Sequence, residues 1–154
     1  LDVADYSHMQ AGPGIVLVAD DANVSIDEIG NRRGLLYSQK GKLSGSNSEK
    51  LNKVLRSALE NCHRLEEEPA LRGKLRFSGN QVEILVNDRL LAPNTGEVFE
   101  ELRPEIDFLA RRLYASTNFK LSRNQQDTRH RLNMTISTPL SFETKTLLNN
   151  LQAI

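Results

Sequence analysis

The run Ser46-Asn47-Ser48-Glu49-Lys50-Leu51-Asn52-Lys53-Val54-Leu55-Arg56-Ser57-Ala58-Leu59-Glu60-Asn61-Cys62-His63-Arg64-Leu65 reads as one amphipathic helix, and it decides how its flanks are read. Leu51, Val54, Leu55, Ala58, Leu59, Cys62 and Leu65 recur at three- and four-residue spacing, which places them on one stripe that must face another layer. Ser46 followed three residues later by Glu49 is the pattern of a capping box, hydroxyl and carboxylate each taking a backbone N–H. Pro69 ends the helix because it has no N–H to donate and restricts the residue before it. The acidic run Glu66-Glu67-Glu68 sits at the negative end of the helix dipole, which favours fraying there.

Working toward the N-terminus, the pattern changes from helical to extended. Ile15-Val16-Leu17-Val18 is an unbroken apolar run between Gly12-Pro13-Gly14 and Asp20-Asp21, the composition of a short buried strand. Val24 and Ile26 alternate with Ser25 and Asp27 as a second strand with one wet face, joined to the first by a hairpin loop at Asp20 to Asn23. Gly34-Leu35-Leu36-Tyr37 follows a turn at Gly30-Asn31 as a third. An antiparallel meander is the simplest arrangement.

Working toward the C-terminus, Lys74 to Ser78, then Val82, Ile84 and Val86, then an irregular Arg89-Leu90-Leu91 read as a second meander, with turns at Gly79-Asn80 and Asn87-Asp88. Val98, Phe99, Leu102, Ile106, Leu109, Ala110 and Leu113 carry helical spacing, interrupted by Pro104, so the stretch is read as kinked or as a short turn before a helix with Pro104 near its start. Strands at Asn118 to Ser122 and His130 to Thr138 flank a polar loop, and Phe142 to Leu151 closes as a helix. The fold class is α+β, a predominantly antiparallel sheet with helices packed on one face. Weak βαβ alternation argues against a doubly wound nucleotide-binding fold.

The chain of 154 residues, 38% apolar and 26% charged, has the length and composition of one compact domain over residues 1–154. Its start at Leu1 is compatible with a piece of a larger protein. Lysine and arginine total 20, as do aspartate and glutamate, so no net field draws a polyanion or an acidic membrane surface. The distribution is uneven: Asp2, Asp5, Asp20, Asp21, Asp27 and Glu28 face no basic residue within the first thirty, whereas Arg103 to Arg131 holds seven basic groups against Glu105, Asp107 and Asp127. On separate faces, these would make a dipolar molecule suited to a charged partner or to self-association. The lone Cys62 excludes an intrachain disulfide and points to a reducing, cytoplasmic location. No membrane span or signal peptide is legible.

Chemistry-bearing patterns are sparse. His8 before Gly12-Pro13-Gly14 could bind an anion or move a proton, with Asp27, Arg33 and Tyr37 as further ligand-binding candidates if the fold brings them to it. The simpler reading has Gly12 and Gly14 steering the chain into the first strand and Arg33 paired with Asp27 or Glu28. Asp20 and Asp21 suit a turn better than a cation site. Cys62 and His63 point about 100° apart on a helix, so they do not make a nucleophile and base. His8, His63 and His130 show no metal-ligand spacing, and no cofactor motif is present. Arg111, Arg112, Arg123 and Arg131 are the candidates for contact with a partner, a protein surface or a second copy, since no aromatic pair beside them offers a stacking platform for nucleic acid. The leading expectation is a noncatalytic binding, assembly or regulatory module. A small-molecule enzyme centred on His8 and a weak single-stranded nucleic-acid binder are the alternatives.

Overall fold

The computed structural model describes residues 1–5, 7, 14–29, 31–124 and 126–152. The chain divides into two compact units, Leu1–Phe77 and Ser78–Ile154. Both are mixed α and β, both sheets are antiparallel, and helices pack against the sheet cores.

In the first unit, β1 (Asp2–Asp5), β2 (Ile15–Val18), β3 (Ala22–Ile29) and β4 (Arg32–Gln39) pair in chain order, followed by α1 (Asn47–Glu67). The meander expected from the sequence is present, with β1 added at its edge; Asp-Val-Ala-Asp is too short and too polar to announce itself as a strand. The turn into β4 uses Asn31 at φ 63°, a left-handed conformation that asparagine tolerates better than branched residues. At the start of α1, Ser46 N donates to Glu49 Oε2 at 2.7 Å and Glu49 N donates to Ser46 Oγ at 3.2 Å, so both halves of the capping box form. The helix buries Leu55, Leu59 and Cys62 and packs against β4. It stops at Glu67, with Glu68 turned out of helical geometry ahead of Pro69.

Two expectations are corrected. Lys74 to Ser78 forms no ladder, because the Phe77 N–H that a strand would need donates instead to Glu66 Oε1 on α1 at 2.7 Å. Arg89-Leu90-Leu91 is a tight turn rather than a strand, since Asp88 gathers the local backbone N–H groups onto itself.

The second unit holds β5 (Gln81–Val86), α2 (Gly96–Tyr114), β6 (Lys120–Arg123), β7 (Leu132–Ser137) and α3 (Thr144–Gln152), with strand order β5-β7-β6. Val82, Ile84 and Val86 lie opposite Ile136, Met134 and Leu132, which puts them on the apolar face as their alternation predicts. Ile106, Leu113, Leu132, Met134, Ile136, Leu147 and Leu151 are almost completely buried and form the core. α2 runs unbroken through Pro104, which forfeits one internal hydrogen bond, and ends on Ala115 at φ 47° with its N–H on Arg112 O. Gly79 is a forced choice: at φ +65°, a Cβ would come within 2.4 Å of the Phe142 carbonyl oxygen. No helix among the described residues is long and apolar enough to cross a membrane.

Candidate interaction site at the β5–α2 loop

The segment between β5 and α2 is built by three short-range devices. Asp88 Oδ1 accepts from Leu90 N at 3.0 Å and Leu91 N at 3.1 Å, while Asp88 O accepts from Ala92 N at 3.0 Å. This is the aspartate turn that the side-chain length of Asp favours. Pro93 O then accepts from Thr95 N at 2.8 Å, and Thr95 caps α2 by accepting from Val98 N at 3.3 Å.

Long-range bonds fasten this loop to the β6–β7 connection. Asn94, with no exposed surface, donates from Nδ2 to Asp127 O at 3.0 Å. Arg123 Nη1 donates to both Asn94 O and Asn94 Oδ1 at 3.1 Å, and its Nη2 donates to Gln126 Oε1 at 2.5 Å. Arg89 Nη1 donates to Arg129 O at 2.6 Å, and Arg131 Nη1 donates to Asn87 Oδ1 at 2.7 Å. Arg129 grips Asp127 with two parallel bonds, Nε to Oδ1 at 3.0 Å and Nη2 to Oδ2 at 2.6 Å. Those side-chain bonds from Arg129, aided by its backbone N–H, hold the Asp127 carboxyl below its ordinary range.

The result is a clamped loop whose tip is apolar. Leu90 is 95% exposed and Leu91 85%. Asn87, Asp88, Arg89, Leu90 and Thr128 line a shallow, open cleft beside it. Arg89, Arg129 and Arg131 belong to the same loop cluster as Asp88 and Asp127, where Asp88 Oδ1 and both Asp127 carboxylate oxygens accept internal bonds. Chemically, this is a convex leucine pair with a cationic margin.

The partner-binding candidates separate into distinct roles. Arg131 and Arg123 belong to this cluster, Arg131 at its margin and Arg123 half-buried as its internal tie. Arg111 is fifteen residues along α2 from Gly96, about 22 Å at the helical rise, and is paired with Asp107. Arg112 donates to Leu151 O at 2.7 Å, joining α2 to α3, and lies over the Phe108 ring. Arg111 and Arg112 therefore stand apart from Arg131 rather than forming one basic face with it.

The ligand-binding candidates belong to the first unit. His8 and Gly12 lie outside the described residues. Gly14 takes φ +71° at the entry to β2. In the β3–β4 ladder, Asp27 is opposite Gly34, whereas Glu28 is opposite Arg33 and Val24 opposite Tyr37. Asp27 thus sits on one face of the sheet, and Arg33 and Tyr37 on the other. Arg33 Nε is 3.7 Å from Glu28 Oε2, and Tyr37 Oη donates to Gln39 Oε1 at 3.3 Å. Asp21 uses its carbonyl, accepting from Lys40 N and Gln39 Nε2 at 2.9 Å.

Cys62 is buried, and burial, helped by Glu66, pushes its thiol up to about 12. No group of three or more potential metal ligands converges among the described residues. The leucine tip was missed in the sequence because its two apolar residues sit between turn formers, Asn87-Asp88 and Pro93-Asn94. No protein-family model, curated protein or solved structure matches the chain.

Proposed function

We propose that the chain is a noncatalytic protein-binding module and that Leu90 and Leu91, with Arg89, Arg129 and Arg131 at their margin, make the contact. The observation that carries this reading is the 95% and 85% exposure of two leucines on a loop held by internal bonds. Loops of this kind are normally polar at the tip, and burying two exposed leucines is worth about 3 to 6 kcal/mol together. The internal bonds order the tip before binding, which lowers the entropic cost of association. Its shape and charge fit an apolar pocket with an acidic rim on another protein.

The test places a photo-crosslinking amino acid at position 90 or 91 of the full chain, with position 145 on α3 as control, and illuminates it in lysate of the native cells. The expected result is one discrete protein adduct from the tip positions and none from the control. Purified, that protein should bind the Leu90→Ser/Leu91→Ser double variant at least about 10-fold more weakly than the unmodified chain. The same adduct pattern from all positions, or undiminished binding by the double variant, would overturn the assignment.

A further inference from the structure

The two edges of the three-stranded sheet in the second unit are built differently. β6 spans only four residues, begins on Lys120 and lies against α2, all common means of blunting an edge against further pairing. β5 spans six, with no proline, lysine or arginine and with three β-branched residues, Val82, Ile84 and Val86. Glu83 is the one residue in it that discourages another strand.

Two backbone bonds fix which groups the β5 edge presents. Thr138 N donates to Asn80 O, and Asn124 N donates to Asn133 O, each at 2.9 Å. Carried along the ladders, they assign the even-numbered residues of β7 to β5 and the odd-numbered ones to β6. Val82, Ile84 and Val86 therefore bond to β7. Glu83 and Leu85 turn N–H and C=O outward, where no backbone partner meets them among the described residues. The side chains stop in the same way: Leu132, Met134 and Ile136 of β7 are at most 1% exposed, whereas Val86, Ile84 and Val82 opposite them are only half-buried. Hydrogen-bond ladder and apolar row both end one strand short.

We propose that β5 of a second copy of this chain is that strand, the two pairing antiparallel about a two-fold axis perpendicular to the sheet. Self-pairing restricts the register, because Glu83 and Leu85 must supply the bonds and the overlap is longest with the axis at position 83 or at position 84. The first choice sets Glu83 against Glu83 of the other copy, like charges directly opposed. The second sets Glu83 against Leu85 and Leu85 against Glu83, each pair exchanging two backbone bonds. On the opposite face it brings Ile84 against Ile84 and Val82 against Val86, so the half-covered side chains of the two copies complete one β-branched row. Charge and packing thus select the same register. The product is a closed two-fold sheet in the order β6-β7-β5-β5-β7-β6, whose outer edges are the short, helix-flanked ones. Such a pair buries one strand edge and its side chains from each copy, the area of a weak, reversible dimer.

Disulfide trapping of the full chain tests the register. Antiparallel neighbours in a non-hydrogen-bonded pair lie about 4.5 Å apart at Cα, within disulfide reach, so Ile84→Cys is expected to give a covalent dimer under mild oxidation. Glu83→Cys and Leu85→Cys each lie two positions from their own copy across the axis, and neither should trap. Cys62 is buried and does not compete. In sedimentation velocity over about 1 to 200 μM, the unmodified chain should show a concentration-dependent dimer. Leu85→Pro removes an outward N–H and leaves the β5–β7 bonds in place, so it should weaken that dimer at least about 10-fold with far-UV circular dichroism unchanged. A chain that stays monomeric throughout overturns the proposal, as does a dimer indifferent to Leu85→Pro. So does trapping from Glu83→Cys or Leu85→Cys as readily as from Ile84→Cys. Ile84→Cys should trap equally well in the Leu90→Ser/Leu91→Ser background, so this inference and the assignment of the leucine tip fail separately.

Discussion

Replacing Asn94 with alanine probes the clamp that holds the leucine tip. The side chain has no exposed surface, donates to Asp127 O at 3.0 Å and accepts from Arg123 Nη1 at 3.1 Å. A neutral hydrogen bond is worth about 0.5 to 1.5 kcal/mol, and one to a charged group about 1.5 to 3 kcal/mol. Arg123 keeps its bonds to Asn94 O and Gln126 Oε1, which places its loss at the lower end. The Asp127 carbonyl loses one of two donors and keeps the His130 N–H at 3.1 Å, so the two lost bonds sum to about 2 to 3 kcal/mol. Because the chain has two compact units, a single melting curve would blend their transitions. Hydrogen exchange read by mass spectrometry on peptides spanning 87–95 and 124–131 resolves the effect. Both should exchange on the order of 30- to 150-fold faster, while α1 peptides stay as they were. A change below about 0.5 kcal/mol, or one spread evenly over the chain, would refute the reasoning that Asn94 is the tie between these loops.

Tyr114 is 2% exposed, its hydroxyl has no hydrogen-bond partner among the described residues, and burial pushes its pKa up to about 12. Tyr114→Phe should therefore be neutral or stabilise by up to about 1 kcal/mol in urea denaturation, and a clear loss would reveal a bond to a buried water. Cys62, also raised to about 12, should resist a thiol reagent in the native chain and react at once in denaturant. The Glu49 carboxyl is lowered from 4.5 by the Ser46 backbone bond and then by the Ser46 hydroxyl. Its contribution is thus fully present above 4.5 and lost as pH falls through the lower folded value, so amides 47–50 should exchange faster in acid, beyond the intrinsic pH effect. Glu49→Gln, which removes the titrating carboxyl, should abolish that dependence, whereas Ser46→Ala, which keeps the backbone N–H, should only lessen it, as hydrogen exchange across the acid range would show.

What could be read without coordinates was whatever depends on neighbours in the chain. The stripe through Leu55, Leu59 and Cys62, the Ser46 and Glu49 box, and the alternation of Val82, Ile84 and Val86 are local signals, and each appears in the structure. A pairing of Arg33 with Asp27 or Glu28 is legible in the same way, and the ladder register decides it for Glu28. Lys74 to Ser78 looked like a strand because alternation was all that could be seen, whereas Glu66 decided the matter from eleven residues away.

Periodicity states which side chains share a face, and it is silent on whether another layer lies over that face. Ile15 and Val16 are equally apolar in the sequence, yet one is 58% exposed and the other 8%. Leu90 and Leu91 differ from the core leucines in nothing but where the Asp88 turn and the Asn94 tie put them. Tertiary structure alone made that choice, because burial depends on contacts between segments distant in sequence, and such contacts leave no trace in the local pattern.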